Sequence, residues 1–150
     1  MNPRDFQTLA GELITKTSPA CIRTAISRAY YSVYNVGVEL LRDGGFEVKE
    51  GPSGHGDVGY KLSNSGSEDL KQVGSQLSDL HNKRIKADYR LANTKIENHK
   101  SAQAVVQQAM KMIRTLDRCF SGPDRGEIIE AIKVYSERIS AAGHSHQKSP

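Results

Sequence analysis

Apolar residues recur at steps of three and four along most of the chain, which is the spacing of one face of an α-helix. The clearest run predicts a helix over 18–43, and its stripe consists of Ile22, Ile26, Ala29, Val33, Val36 and Leu40. Similar stripes predict long helices over 67–90 and 95–120. Sustained alternation of apolar and polar residues is absent from the sequence, so the pattern predicts an all-α protein.

Clusters of glycine, proline and serine separate the predicted helices. A first helix should begin at Asn2-Pro3 and end before Thr17-Ser18-Pro19, where a second capping serine and proline begin the next helix. Gly44-Gly45 should end that second helix. The connections are mostly short, which favours an antiparallel bundle of four to five helices.

The remaining segments complete this interpretation. A short helix is expected from about 54 to 62, after a Gly-rich loop over 44–54. Thr94 and Glu97 have the spacing of a capping box, which predicts that the next long helix begins there. We expect a single domain over 1–142 with a last helix at about 123–142. The segment 143–150 has no apolar residue and is expected to be a disordered tail.

The composition agrees with one domain in the cytoplasm. The chain has 150 residues, of which 37% are hydrophobic, and this length suffices for one core. Apolar runs are too short to span a bilayer, and the first 17 residues lack the apolar centre of a signal peptide. Cys21 and Cys119 fall in apolar helical patterns, so we expect reduced core cysteines and no zinc site or disulfide framework.

Positive charge is concentrated in one stretch of the chain. Residues 83–118 contain nine lysines and arginines and three acidic residues, hence a net charge of +6, whereas the whole chain carries +4. Such a stretch is typical of a solvated helix face, and it also favours contact with a polyanion.

Common catalytic motifs are absent from the sequence. We find no phosphate-binding loop, no dinucleotide-binding glycine motif and no nucleophile turn. The five histidines do not form a known metal-binding pattern. The sequence therefore predicts neither a metal nor a cofactor.

The most distinctive polar cluster lies on the 67–90 helix. His81, Arg84 and Asp88 share one helical face, and Arg84 and Asp88 have the spacing of an ion pair. Arg84 falls on the stripe that otherwise points inward, where a charge must be paired or face a cleft or interface. Two interpretations follow. The pair either ties this helix to the second helix, through Arg28 or a tyrosine, or forms part of a functional polar site.

Three segments together resemble the HEPN superfamily of prokaryotic helical-bundle proteins, in particular its Arg-x-x-Ala-Asp-Tyr branch. They are Arg28-Ala-Tyr-Tyr31, then His55 after the Gly-rich loop, then Leu80-x3-Arg84-x2-Ala87-Asp88-Tyr89. The resemblance covers about residues 4–120, so the last helix would be an addition. It implies a HEPN-like antiparallel bundle that often forms a homodimer, and the tyrosines Tyr30, Tyr31 and Tyr34 also favour a dimer interface.

The resemblance implies several functions. Many HEPN proteins are metal-independent ribonucleases that use Arg-x(4–6)-His; others are toxins paired with a nucleotidyltransferase, or binding modules. Here the next histidine after Arg84 is His99, and Asp88 stands near the expected histidine position. An aspartate with an ordinary pKa is a poor proton shuttle at neutral pH. Arg138 and His144 have the right spacing but lie outside the matched region.

We therefore expect a non-catalytic or weakly active HEPN-like domain that binds RNA, a nucleotide or a partner protein, in prokaryotic stress, defence or toxin–antitoxin biology. One alternative is a ribonuclease with a rearranged site that uses Arg84 with His81 or His99. Another is a purely structural interaction module. The candidate binding residues are Arg84, Asp88, His81, Arg28, Tyr89 and His55.

Overall fold

The computed structural model describes the backbone of residues 1–146 and the side chains of residues 1–143. Its helices are α1 (Asp5–Leu13), α2 (Pro19–Asp43), α3 (Pro52–Ser63), α4 (Glu68–Tyr89), α5 (His99–Ser121) and α6 (Arg125–His146). A short 3₁₀ turn, Thr94–Glu97, precedes α5. Residues 1–146 contain no strand. The prediction of an all-α helical bundle is confirmed, although residues 1–146 contain six α-helices rather than four to five.

Helix α2 forms the centre of the bundle and packs against α1, α4 and α5. The Ser18 hydroxyl accepts the N–H of Cys21 at 3.3 Å, and Pro19 is the first helical residue. At the other end Gly44 caps the helix, and Gly45 has a φ of +92°. Both predicted ends of this helix are therefore confirmed, because a capping serine and a left-handed glycine give the terminal backbone groups partners.

Helices α3 and α4 approach each other closely because glycines face the contact. A Cβ atom on Gly74 would lie 2.7 Å from the Ser63 Oγ and 2.9 Å from the Gly59 carbonyl oxygen. A side chain at this position would push the two helices apart. The close approach matters for the site because α3 carries His55 and α4 carries His81 and Arg84.

The predicted start of α5 at a Thr94–Glu97 capping box is wrong. These residues form the 3₁₀ turn, and Asn98 caps α5 through its Oδ1, which accepts the N–H of Ser101 at 2.9 Å. The Glu97 carboxylate instead receives the guanidinium of Arg23 at 2.7 Å. A bond to a buried charge is stronger than a bond to a helix-end N–H, so Glu97 is drawn away from capping.

The predicted end of the last helix at Gly143 is also wrong. Helix α6 packs against α5 and α3 and continues to His146. Glycine in an exposed last turn costs only about 1 kcal/mol, so it does not end the helix here. Residues 147–150 of the predicted tail lie outside the described part of the chain. None of the helices within residues 1–146 has both the length and the apolar content needed to cross a membrane.

Candidate functional site

Residues from α2, α3 and α4 meet in one aromatic and polar cluster. The imidazole rings of His55 (α3) and His81 (α4) are stacked with their centroids 4.8 Å apart. We call these two residues the histidine pair. Tyr30 of α2 lies below both rings, with its own ring centroid 5.6 Å from that of His55 and 5.1 Å from that of His81. Tyr30 is fully buried, so both imidazole rings pack against an aromatic side chain of the core.

The Tyr30 hydroxyl forms a hydrogen bond with Nδ1 of His55. Burial raises the pKa of Tyr30, so its hydroxyl keeps its proton. The ring of Tyr34 also packs against that of His55, and the two ring centroids are 4.7 Å apart.

Both histidines are shifted toward the neutral form. Burial lowers the pKa of His55, and the charge of Arg84 lowers it further. Burial also lowers the pKa of His81, with additional contributions from His55 and Arg84. Neutral imidazoles keep one lone pair each, so at neutral pH the histidine pair can accept protons or hydrogen bonds.

Arg84 lies beside the histidine pair at the edge of the cluster. Its guanidinium donates to the hydroxyl of Tyr31 and lies 5.0 Å from that ring's centroid and 5.6 Å from that of Tyr89. Its Nε is 3.1 Å from Oδ2 of Asp88, an ion pair without hydrogen-bond geometry. The side chains of Arg84 and Asp88 are 13% and 29% exposed. The Arg84–Asp88 ion pair is thus partly buried: it is more exposed to solvent than a fully buried ion pair and less exposed than a surface one.

A second arginine, Arg28, reaches the same carboxylate through a serine. The Ser27 hydroxyl donates to Oδ2 of Asp88 at 3.1 Å, and Arg28 donates to the Ser27 oxygen at 3.4 Å. The Arg28 guanidinium lies 5.0 Å from the ring centroid of Tyr31. Asp88 therefore joins α4 to α2 through Ser27, while Arg84 joins them through Tyr31.

Positive charge exceeds negative charge at this place. Arg84 forms an ion pair with the carboxylate of Asp88, whereas Arg28 reaches that carboxylate only through the Ser27 hydroxyl, and the Nε atom of each arginine is buried without a hydrogen-bond partner among the described residues. Further cations follow along α4 and just after it: Lys83, Lys86 and Arg90. The arrangement can therefore attract an anion from solvent.

All six candidate residues lie in this region or on its edge, but His99 does not join the histidine pair. It donates through Nε2 to the carbonyl of Ile14 at 2.6 Å and so ties α5 to the end of α1. The tyrosines expected at a dimer interface are used within one chain, because Tyr30 is buried and Tyr31 and Tyr34 pack against the core. The homodimer stays a prediction.

Arg23 links α2 to α4 and was not among the predicted candidate residues. Arg23 is buried, and its guanidinium donates to the carbonyls of Ala87 at 2.9 Å and Asn93 at 3.1 Å, besides its bond to Glu97. It thereby gives partners to carbonyls at and beyond the end of α4. An arginine among the apolar residues of the α2 stripe was the available signal. Tyr30 and Tyr31 were also missing from the candidate residues, although their adjacency to Arg28 was visible in the sequence.

The histidine pair lies at one end of a groove between α3 and α4. The groove encloses about 450 Å³, and small residues such as Gly56, Gly59 and Ser78 line it. Within residues 1–143 no three histidine, cysteine or acidic side chains are grouped to hold a metal ion. Comparison of the chain with protein-family models, curated proteins and solved structures found no match.

Proposed function

We propose that this protein is a HEPN-like domain that binds RNA at the surface formed by Arg84, Arg28 and the histidine pair. The observation that carries the proposal is the imbalance of charge at Asp88. The guanidinium groups of Arg84 and Arg28 lie near one carboxylate, which pairs directly with Arg84 and reaches Arg28 only through the Ser27 hydroxyl. Arginine recognises phosphate oxygens with its planar fork, so an RNA phosphate is a fitting third partner.

The neighbouring aromatic residues suit a single-stranded polynucleotide. Tyr89 is 68% exposed beside the Arg84 guanidinium, and exposed aromatic rings are platforms on which unpaired bases stack. The neutral histidine pair offers hydrogen-bond acceptors of the kind that a ribose 2′-hydroxyl can use. Phosphate, base and ribose would thus each find a matching group within one cluster.

The placement of the three motifs supports the HEPN-like part of the proposal. Arg28-Ala-Tyr-Tyr31, His55 and Arg84-x2-Ala87-Asp88-Tyr89 are far apart in sequence, yet their side chains lie in one cluster. Residues that serve one site must converge in this way. A purely structural module would also need residues that pack against α2. It would not need two arginines, Arg28 and Arg84, at the partly buried edge of the cluster.

Binding to a fluorescently labelled single-stranded RNA, measured by anisotropy, tests the proposal. Arg84→Ala should weaken binding about tenfold, the loss of one charge-assisted contact. The matched control is Lys71→Ala, because Lys71 is exposed on the same helix about 20 Å away along its axis. Equal affinities of Arg84→Ala and wild type, or no binding by the wild type, would contradict the proposal.

A second candidate function, metal-independent RNA cleavage, is favoured by the histidine pair. One neutral imidazole would take the proton of a 2′-hydroxyl as that oxygen attacks phosphorus. The bond from phosphorus to the 5′-oxygen would break, giving a 2′,3′-cyclic phosphate and a 5′-hydroxyl. A protonated imidazole would supply the proton of the leaving oxygen. Since both histidines have lowered pKa values, the acid form is scarce at neutral pH, which favours binding over cleavage.

Gel analysis of the labelled RNA after incubation distinguishes the two functions. A ribonuclease would release cyclic-phosphate products in a metal-chelating buffer, and cleavage would be lost in His55→Ala and His81→Ala but kept in His99→Ala. Intact RNA together with Arg84-dependent binding would leave the binding function alone. Cleavage that survives both histidine substitutions would exclude the pair as its catalyst.

A further inference from the structure

A second and larger cavity lies on the other side of α3. It encloses about 980 Å³ between the 44–51 loop, α3 and α6. Among the residues whose side chains the structure describes, only Pro52, Gly56 and Tyr60 line both this cavity and the groove of the histidine pair. The polar groups of its lining come from the charged residues Glu47, Lys49, Asp57 and Lys61 and from the tyrosines Tyr60 and Tyr135.

The cavity is bordered by an ion pair with unused hydrogen-bonding capacity. Nζ of Lys61 lies 2.5 Å from Oδ1 of Asp57, and the two side chains are only 10% and 11% exposed. Oδ2 of Asp57 also accepts the backbone N–H of Lys49 at 3.0 Å. An ammonium has three N–H groups and a carboxylate has about four lone-pair sites. The pair can thus both donate to and accept from a third molecule, while its own charges cancel.

Aromatic side chains form a large part of the remaining lining of the cavity. Tyr60 is 64% exposed at the rim, Tyr135 from α6 is half-buried, and Phe46 packs at the edge of the core. Burial, Asp57 and Tyr60 raise the pKa of Tyr135, so its hydroxyl remains a donor. A neutral, flat molecule with polar groups along one edge fits such a lining better than an ion does.

We propose that this cavity binds a nucleobase, and guanine in preference to the others. Guanine presents an acceptor, O6, next to two donors, N1–H and N2–H, on one edge. The acceptor would receive an N–H of Lys61 and the two donors would bond the carboxylate of Asp57. Uracil places a second acceptor where guanine has its N2 donor, and hypoxanthine has no group there. That the natural occupant is a base of bound RNA rests on the proposed function.

Free nucleosides test this site without the phosphate contacts of Arg84. Binding is measured by calorimetry and by saturation-transfer NMR with guanosine, inosine, adenosine and uridine. Guanosine should bind best, and inosine about tenfold more weakly because one bond to a charged group is lost. Equal binding of all four nucleosides, or no guanosine binding by the wild-type protein, would overturn the proposal.

Two variants locate the bound nucleoside. Asp57→Asn should reduce guanosine binding about tenfold and favour xanthosine, whose O2 can accept from the new amide. Ser140→Trp, at an exposed position on the cavity rim, should block all nucleosides without touching the ion pair. Binding unchanged in both variants would overturn the proposal.

Arg84→Ala serves as the control and should keep wild-type guanosine affinity. Guanosine binding by a protein that binds no RNA would refute the proposed function and leave this site standing. RNA binding with no guanosine binding would overturn this inference and leave the proposed function standing. A loss of guanosine binding in Arg84→Ala would indicate that the nucleoside binds at the Arg84 surface and not in this cavity, and would overturn this inference.

Discussion

His55 and His81 stack face to face, 4.8 Å between ring centroids, although they belong to different helices. A proton on either imidazole would place a positive charge against the other ring and near Arg84. Tyr30 packs against both rings and Tyr34 against that of His55, but neither can balance that charge, since burial raises the pKa of both phenols. The cluster is therefore built around uncharged histidines.

This arrangement predicts that the protein loses stability in mild acid. The folded-state pKa values of both histidines lie below the unfolded value of about 6.5. Below that pH the unfolded chain binds more protons than the folded one, so the free energy of unfolding decreases as pH falls. Urea unfolding from about pH 7.5 to about pH 5.5 measures the effect, and His81→Gln should flatten it. Constant or rising stability over that range would contradict the prediction.

Arg23 should contribute far more to stability than its position in a helix sequence suggests. Arg23→Ala removes the buried guanidinium that holds Glu97 and the carbonyls at the end of α4, which should cost about 3–5 kcal/mol. Arg118→Ala is the control, since its ion pair with Asp69 is well exposed and should contribute at most about 1 kcal/mol. Equal unfolding free energies for the two variants would show that Arg23 does not lock the helices.

Gly74 should be intolerant of even one methyl group. Gly74→Ala places its Cβ against the Ser63 hydroxyl and the Gly59 carbonyl, and overpacking of this kind costs about 1–3 kcal/mol. Gly11→Ala in α1 has open space and should stabilise the protein by about 0.5–1 kcal/mol through helix propensity. Thermal unfolding of both variants decides this, and a stabilising Gly74→Ala would show that α3 and α4 can separate freely.

The periodicity of the sequence was sufficient to predict the helices but not every boundary. The ends of α2 were predictable because Ser18, Pro19 and Gly44 act within one turn of the helix. The start of α5 was not predictable in this way. The Glu97 carboxylate could either cap the helix or bind Arg23, which is distant in sequence, and it binds Arg23. Local patterns cannot represent such competition between sequence-distant partners.

The same distinction between local and sequence-distant contacts applies to the residues of the site. Arg84 and Asp88 lie four residues apart on one helix, so their pairing could be predicted from spacing alone. The contact between His55 and His81 could not, since it depends on how closely α3 approaches α4. That approach is allowed by Gly59 and Gly74, and glycines in a helix give no signal of what they face.

The variant Asp88→Asn distinguishes two roles of the Arg84–Asp88 pair: a buried structural link between α4 and α2, or part of a binding site. Asp88→Asn keeps an acceptor for Ser27 and removes one negative charge beside Arg84 and Arg28. At a partly exposed pair the cost in stability should be about 1 kcal/mol or less, and RNA affinity should rise because the local charge becomes more positive. Urea unfolding and anisotropy measure the two effects. A loss of about 3 kcal/mol or more, with unchanged affinity, would identify the pair as a lock.

The salt dependence of RNA binding by Arg84→Lys and Arg84→Ala tests the central claim most directly. Lysine keeps the charge but cannot use a planar fork to contact Tyr31, Asp88 and a phosphate together. We expect both variants to bind more weakly than wild type. Only Arg84→Ala should flatten the plot of log affinity against log salt, by about 0.7 for single-stranded RNA. Wild-type affinity and slope in both variants, between about 50 and 200 mM salt, would contradict RNA binding at Arg84.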